Sequence, residues 1–237
     1  MTARSVVLSV LLGAHPAWAT AAQLIRLTSD FGIKETTLRV ALTRMVTAGD
    51  LIRSADGYRL ADRLLARQRR QDLALDPPVQ PWDGSWNTVV ITSVGNSART
   101  RADVRRALQD NRFGELREGV WLRPDNLASE LPAEVLTRGR HLRSYDDEPA
   151  DLAARLWNLD AWADTAGGLL ADMAGAPDVP SRFVAAAGMV RHLLTDPVLP
   201  DELLPPDWPG AALRSVYAQF AAELTARRDH TELTEAR

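Results

Sequence analysis

The sequence predicts a mostly helical α+β protein with three parts: an N-terminal winged helix-turn-helix, a small ferredoxin-like unit and a C-terminal helical domain. Three observations predict this order. Short helical patterns and an Asp-Gly turn fill the first 75 residues, a proline-rich break follows, and β-branched runs come next. From Asp151 onward apolar residues recur at helical spacing. The predicted boundaries are therefore 1–75, a linker at 76–81, 82–148 and 149–237.

The composition is that of a globular protein, with 46% hydrophobic and 25% charged residues among 237. No run approaches the roughly 18 apolar residues that a membrane span needs, so we expect no membrane partner. The chain has no cysteine, which excludes disulfides, thiolate zinc sites and a cysteine nucleophile. This composition fits a cytoplasmic protein.

Charge is distributed unevenly along the chain. Residues 1–75 contain 11 Lys and Arg against 6 Asp and Glu, a net of +5, and the remainder contains 17 against 25, a net of −8. A basic N-terminal part on an acidic body indicates that only the N-terminal part meets phosphate.

The first predicted element is a buried helix. Arg4, the apolar stretch 5–14 and Ala17-Trp18-Ala19 together imitate a secretory signal. However, the apolar residues recur at helical spacing until Pro16, and the two helices that follow need a third to form a core. We therefore interpret this segment as the first helix of the N-terminal domain.

A helix-turn-helix is predicted next. Thr20 and Gln23 form a capping box at the start of one helix, and Phe31-Gly32-Ile33 breaks it, because glycine adopts the positive φ of a tight turn. The second helix buries Leu38, Leu42, Met45 and Val46. Lys34 is a poor N-cap residue, so this helix start depends on Glu35 and the helix dipole.

The other faces of this second helix carry the residues that point to DNA. Short hydroxyls, a methyl-bearing side chain and two arginines suit a helix in the major groove. The predicted DNA-binding residues of this helix are Thr36, Thr37, Arg39, Val40, Thr43 and Arg44. The alternative interpretation is an ordinary core helix with solvated arginines.

A hairpin follows this helix directly. Ser54-Ala55-Asp56-Gly57 lies between Leu51-Ile52-Arg53 and Tyr58-Arg59-Leu60, and Asp-Gly between alternating residues predicts a β-hairpin. This is the position of the wing in a winged helix, from which Arg53 and Arg59 reach phosphates or the minor groove. A basic helix is predicted over 61–75.

The middle of the chain predicts strands at 86–94 and 119–123, a helix at 99–111 and a short strand around 141–145. Further helices are predicted at 181–195 and 211–227.

The whole chain resembles the PaaX family, repressors of phenylacetic-acid degradation and related bacterial pathways. The resemblance rests on five segments of this sequence: Phe31-Gly32-Ile33, 38–45, Trp82-Asp83-Gly84-Ser85-Trp86, 119–124 and the unusual proline-rich block 196–210. It implies a homodimer that represses a catabolic operon at a partly palindromic DNA operator. It also implies release by an aryl- or acyl-coenzyme A, typically phenylacetyl-coenzyme A. Lys34, Asp50 and His192 depart from the residues usual in the family.

An effector site can be suggested from residue types. The candidates are Arg191 and His192, with Trp121 and Arg123 across the domain boundary. Cations suit the phosphates of coenzyme A, and an indole suits an aryl group. The alternative is that Arg191 pairs with an acid and His192 is a structural residue.

Two other function classes remain open. The middle unit also resembles the Cas2 nuclease fold, but a metal-dependent nuclease needs a carboxylate at the end of its first strand, where this chain has Ile91-Thr92-Ser93-Val94. The histidines are scattered, and no phosphate loop or nucleophile motif is present, so we expect no catalytic residues, no metal and no cofactor. A module that binds a protein partner through its helical C-terminus is the third class.

Overall fold

The computed structural model describes residues 1–95 and 97–229, and these fold as two compact units. Of the described residues, the first unit contains 1–75, 168–191 and 211–229, and the second contains the rest. In this division residues 168–191 and 211–229 belong to the first unit, whereas residues 149–167 and 192–210 belong to the second.

Residues 1–75, here called the N-terminal domain, contain four helices and three short strands. In chain order these are α1 (Ala3–Leu12), β1 (Trp18–Ala19), α2 (Ala21–Ser29), α3 (Glu35–Thr47), β2 (Leu51–Arg53), β3 (Tyr58–Leu60) and α4 (Asp62–Leu75). The predicted first helix is therefore present, and Val7 and Leu11 of α1 are fully buried with Leu24 of α2 and Leu38 of α3. One shared apolar core holds α2 and α3 in place.

The segment from α2 to α3 depends on local hydrogen bonds that the sequence predicts. Gln23 donates its backbone N–H to Thr20 Oγ1 at 3.1 Å, and Thr20 donates its own to Gln23 Oε1 at 2.8 Å, which is the predicted capping box. Gly32 in the turn has φ +66°, as its position requires. As expected, Lys34 is the N-cap of α3 and makes no side-chain cap hydrogen bond.

The predicted hairpin forms between β2 and β3, with Ile52 opposite Arg59. A further strand, β1, was not predicted; it pairs antiparallel with β3 and extends the hairpin into a three-stranded sheet. Gly57 permits this sheet, because a Cβ atom there would lie 2.4 Å from the carbonyl oxygen of Ala19.

The second unit contains a four-stranded antiparallel sheet with the order β5-β6-β4-β7. Its elements are β4 (Trp86–Ile91), α5 (Ala98–Asp110), β5 (Gly114–Arg117), β6 (Val120–Pro124), α6 (Ala133–Leu136) and β7 (Gly139–Ser144). This β-α-β-β-α-β succession and strand order is the predicted ferredoxin-like arrangement. Strand β5 and the short helix α6 were not predicted from the sequence.

Alternating side chains of this sheet enter two cores. Val89 and Trp121 pack with Leu108 of α5, whereas Trp86 and Leu122 pack with Leu152 of the next helix, α7 (Pro149–Leu156). Both faces of β4 and β6 are therefore covered by helices.

A charged turn precedes β4. Asp83 accepts hydrogen bonds from the backbone N–H of Ser85 at 3.1 Å and from its hydroxyl, and it pairs with Arg143 of β7. These hydrogen bonds, those from Ser85 first, lower the pKa of Asp83 to about 2. The Asp83 carboxylate therefore links the turn before β4 to the neighbouring strand β7.

The remaining helices are α8 (Leu159–Gly175), α9 (Val179–Leu193) and α10 (Gly210–Asp229), with a short 3-10 helix at Asp201–Leu203. Within the first unit, α9 and α10 contact the N-terminal domain. Phe183 packs edge-on against Phe31, with ring centroids 5.0 Å apart, and Arg214 donates to the carbonyl of Ala74 at 3.0 Å. The helices α9 and α10 therefore pack against the N-terminal domain.

Candidate nucleic-acid interface

Helix α3 has one buried face and one exposed face. Leu38, Leu42 and Met45 are at most 1% exposed and face the core. The side chains predicted to meet DNA are all exposed, and these are Thr36, Thr37, Arg39, Val40, Thr43 and Arg44. Val40 is apolar but 51% exposed, so its methyl groups are available for contact with a ligand. The structure therefore brings the six predicted residues of this helix onto one accessible surface, here called the α3 surface.

The two arginines of the α3 surface differ in their surroundings. Arg39 forms an ion pair with Glu35, one helical turn earlier, at 2.7 Å. The side chain of Arg44 makes no hydrogen bond or ion pair with any residue in 1–95 or 97–229. Both guanidinium groups can reach a ligand outside the protein, because an exposed i,i+4 pair is weak.

Arg4 adds a cation that sequence reasoning did not assign to this surface. A depression beside α3 is lined by Thr36, Val40 and Arg44 and, from the start of α1, by Thr2 and Arg4. Only the tertiary contact of α1 with α3 places Arg4 here, so no local sequence signal could have found it.

A buried carboxylate fixes this corner of the domain. The side chain of Asp50 is 2% exposed, accepts a hydrogen bond from Arg4 Nε at 3.0 Å and forms a short ion pair with Arg63 of α4. The backbone N–H of Asp50 also donates to Met45 O at 2.8 Å. Asp50 thus ties α1 and α4 to the C-terminal end of α3, just before the hairpin begins.

The hairpin carries the other two predicted DNA-binding residues. Arg53 of β2 and Arg59 of β3 are both exposed, and Arg59 lies 3.6 Å from Asp62 at the start of α4. The N-terminal domain therefore presents cations from α3, from the hairpin and from the start of α1.

Two of the predicted effector residues lie in the core of the second unit. Trp121 and Arg123 are each 3% exposed. The Arg123 guanidinium donates to Ser129 Oγ at 2.7 Å and to Asn111 O at 3.2 Å, and burial lowers its pKa to about 10. The expectation that these two side chains meet an effector is not supported, because protein atoms already surround them.

The other two predicted effector residues belong to different compact units. His192 lies in the second unit, where it stacks on Trp162 with ring centroids 4.3 Å apart and places Nε2 2.9 Å from the Trp162 carbonyl oxygen. Arg191 is exposed and belongs to the first unit, where it lines a cavity. Of the four predicted residues, only Arg191 combines exposure with a place in a cavity wall.

Within 1–95 and 97–229, no three His, Asp or Glu side chains gather as a metal-binding group. Among the same residues, no helix is both long enough and apolar enough to cross a bilayer.

Comparison with known proteins first defines the class. Models of three successive domains match this chain: a PaaX-like protein at residues 2–64, the PaaX protein central Cas2-like domain at 79–143 and the PaaX-like protein C-terminal domain at 157–231. The arrangement is that of a multidomain regulator with a Cas2-like centre.

The chain belongs to the PaaX family. It is 27% identical to the transcriptional repressor PaaX of Escherichia coli (strain K12) over 223 residues, which cover 81% of this chain and 70% of the relative. Its fold matches the uncharacterized protein Rv0674 from Mycobacterium tuberculosis with a TM-score of 0.89 and 65% identity, covering 98% of this chain and 99% of the other.

Proposed function

We propose that this protein is a DNA-binding transcriptional repressor that acts as a homodimer and reads its operator with α3. The observation that carries the proposal is the α3 surface, where two arginines, hydroxyls and the exposed Val40 lie together above a fully packed core. The name of the E. coli relative, a transcriptional repressor, supports the same function.

The side chains of α3 suit base edges in the major groove. Arginine donates two parallel hydrogen bonds to guanine, threonine donates or accepts, and the methyl groups of valine and threonine contact the thymine methyl. Val40 and Thr43 are one turn apart, so they can meet successive bases. Arg39 and Arg44 flank them on the same helix.

The remaining cations of the N-terminal domain suit the DNA backbone. Arg53 and Arg59 extend from the hairpin, and Arg4 lies beside α3. Contacts with phosphates fix the register of the protein on the duplex and make affinity salt-dependent. The net charge of +5 on residues 1–75 supports this division of roles.

The effector is an aryl- or acyl-coenzyme A, with phenylacetyl-coenzyme A as the first candidate. The effector releases DNA only if it prefers one of two conformations of the protein. Its affinity for the conformation that does not bind the operator must exceed its affinity for the conformation that does. A dimer on a partly palindromic operator gives such a mechanism its sensitivity, because both copies of α3 must reach the groove together.

The test is a titration of the protein against DNA from its own promoter region, with and without phenylacetyl-coenzyme A. We expect tight binding that weakens steeply with salt, by about 10³-fold or more between 50 and 200 mM for roughly six phosphate contacts. The thioester should release the DNA, and the complex should have the mass of two chains on one operator. Binding that does not discriminate this DNA from a scrambled duplex would contradict the repressor function.

A further inference from the structure

An apolar cavity of about 120 Å³ that opens to solvent lies within the first unit. The N-terminal domain supplies one side and α9 with α10 the other. Its principal apolar lining residues are Leu12, Leu27, Phe183, Val190, Phe220 and Leu224.

The size of the cavity limits what it can hold. An apolar protein cavity of about 150 Å³ takes up benzene, so this one suits a single small aromatic ring or a short branched chain. Phe183 and Phe220 present their rings at 73° to each other, with centroids 6.5 Å apart, which leaves an edge and a face for a third ring.

A hydroxyl group stands at one end of the cavity. A Cβ atom at Gly13 would lie 3.4 Å from the hydroxyl oxygen of Tyr217, so the glycine keeps this end open. Burial raises the pKa of Tyr217. The neutral hydroxyl makes no hydrogen bond to any described residue, and it can donate to a carbonyl oxygen of a ligand.

The charged residues of the wall have a single sign. Among the described residues that line the cavity, the charged ones are Arg67 of α4, Arg191 of α9 and Arg228 of α10, with no carboxylate. Arg67 and Arg191 are exposed, and neither guanidinium group makes an ion pair or hydrogen bond within the described parts of the chain. An anionic portion of a ligand outside the cavity would meet these two guanidinium groups.

We propose that this cavity is the effector site and that it holds the aromatic or short acyl group of a coenzyme A thioester. Arg67 and Arg191 bind the phosphates of the coenzyme A portion. The regulatory meaning of the site rests on the proposed function, whereas the binding of the ligand does not. This assignment keeps Arg191 from the sequence prediction and replaces the other three residues.

The wall of the cavity also connects to the α3 surface. Gln68 of α4 is 7% exposed and donates from one amide nitrogen toward the carbonyls of Leu11, Leu12 and Ala14, at 3.3, 3.2 and 2.9 Å. This ties α4 to the end of α1, and α1 packs against α3 in the common core. A ligand that wedges between this wall and α9 or α10 therefore acts on the element that presents α3.

The test measures ligand binding by calorimetry on the full chain, without DNA. The probes are phenylacetyl-coenzyme A, phenylacetate and coenzyme A. Ala221→Leu places a larger side chain in the lining of the cavity. The matched control, Ala222→Leu, makes the same change at the next residue, which is exposed and does not line the cavity. We expect the wild type to bind the thioester more tightly than either fragment, and Ala221→Leu to weaken it about tenfold or more while Ala222→Leu does not.

A second pair of variants leaves the interior of the fold untouched. Arg67→Gln should weaken binding of the thioester about tenfold, and Arg69→Gln, on the same helix but outside the wall, should not. Equal affinity in Ala221→Leu, Arg67→Gln and wild type would overturn the location of the site.

A wild type that binds none of the three probes would overturn the ligand class. Promoter binding by the same sample then decides separately whether the DNA-binding function stands. The two proposals can therefore fail separately. If the wild type does not bind its promoter, but Ala221→Leu still weakens its binding of the thioester, this inference stands and the proposed function is contradicted.

Discussion

Replacing Arg39 and Arg44 together by alanine separates DNA binding from folding. The side chain of Arg39 is 61% exposed, and its described side-chain partner is Glu35 at 2.7 Å. An exposed pair of this kind stabilises a helix by about 0.3–0.5 kcal/mol, and alanine regains part of that through helix propensity. The free energy of unfolding should therefore change by no more than about 0.5 kcal/mol.

The loss in DNA affinity should be far larger. An arginine that contacts a guanine contributes about 1–3 kcal/mol, so two of them contribute about 2–6 kcal/mol. At about 1.4 kcal/mol for each factor of ten, the dissociation constant should rise by between roughly 30-fold and 10⁴-fold.

The assay is fluorescence anisotropy of a labelled promoter fragment at one fixed salt concentration, with urea denaturation and the mass of the oligomer measured alongside. Arg99→Ala with Arg106→Ala, which removes two exposed cations from α5, is the control for net charge. If the Arg39 and Arg44 double variant binds as tightly as this control, α3 is not the element that reads DNA.

Three further perturbations test the structure. Gly57→Ala places a Cβ atom 2.4 Å from Ala19 O, so it should cost about 1–3 kcal/mol in unfolding free energy, and an unchanged urea midpoint would contradict the close approach. Asp50→Ala removes a buried carboxylate whose two arginine partners are more than half exposed. It should cost about 1–3 kcal/mol by urea denaturation, below the cost of stranding a buried charge, and a loss of 0.5 kcal/mol or less would refute the tie. Asp83→Asn tests pH dependence: the depressed pKa of Asp83 makes its contribution to stability complete above the unfolded value of about 3.9 and lost as pH falls through about 2. Unfolding curves of wild type and Asp83→Asn should therefore converge across that window, and a constant separation would rule out the ionised carboxylate as the cause.

The elements predicted correctly are those with strong local signals. The capping box at Thr20, the positive φ of Gly32 and the Asp-Gly hairpin each depend on residues within a few positions of one another. The missed elements depend on distant partners. β1 has two residues, and only its pairing with β3, about 40 residues further along, makes it a strand.

The candidate site divides in the same way. The exposed face of α3 follows from helical periodicity, because once Leu38, Leu42 and Met45 face the core the opposite side must face water. The prediction for the effector had no such basis. Trp121 and Arg123 have the residue types of a ligand site, but the pleat of β6 and the contacts around it bury both.

The sequence by itself determined the local elements, their order, the basic N-terminal part and the face of α3, because each depends on nearby residues or on summed charge. The tertiary structure alone decided how the C-terminal segment is shared between two units, that Arg4 and Asp50 meet at the end of α3, and that α4, α9 and α10 enclose a cavity. Burial and cavity formation depend on which distant segments pack together, and the periodicity of the sequence does not specify which segments these are.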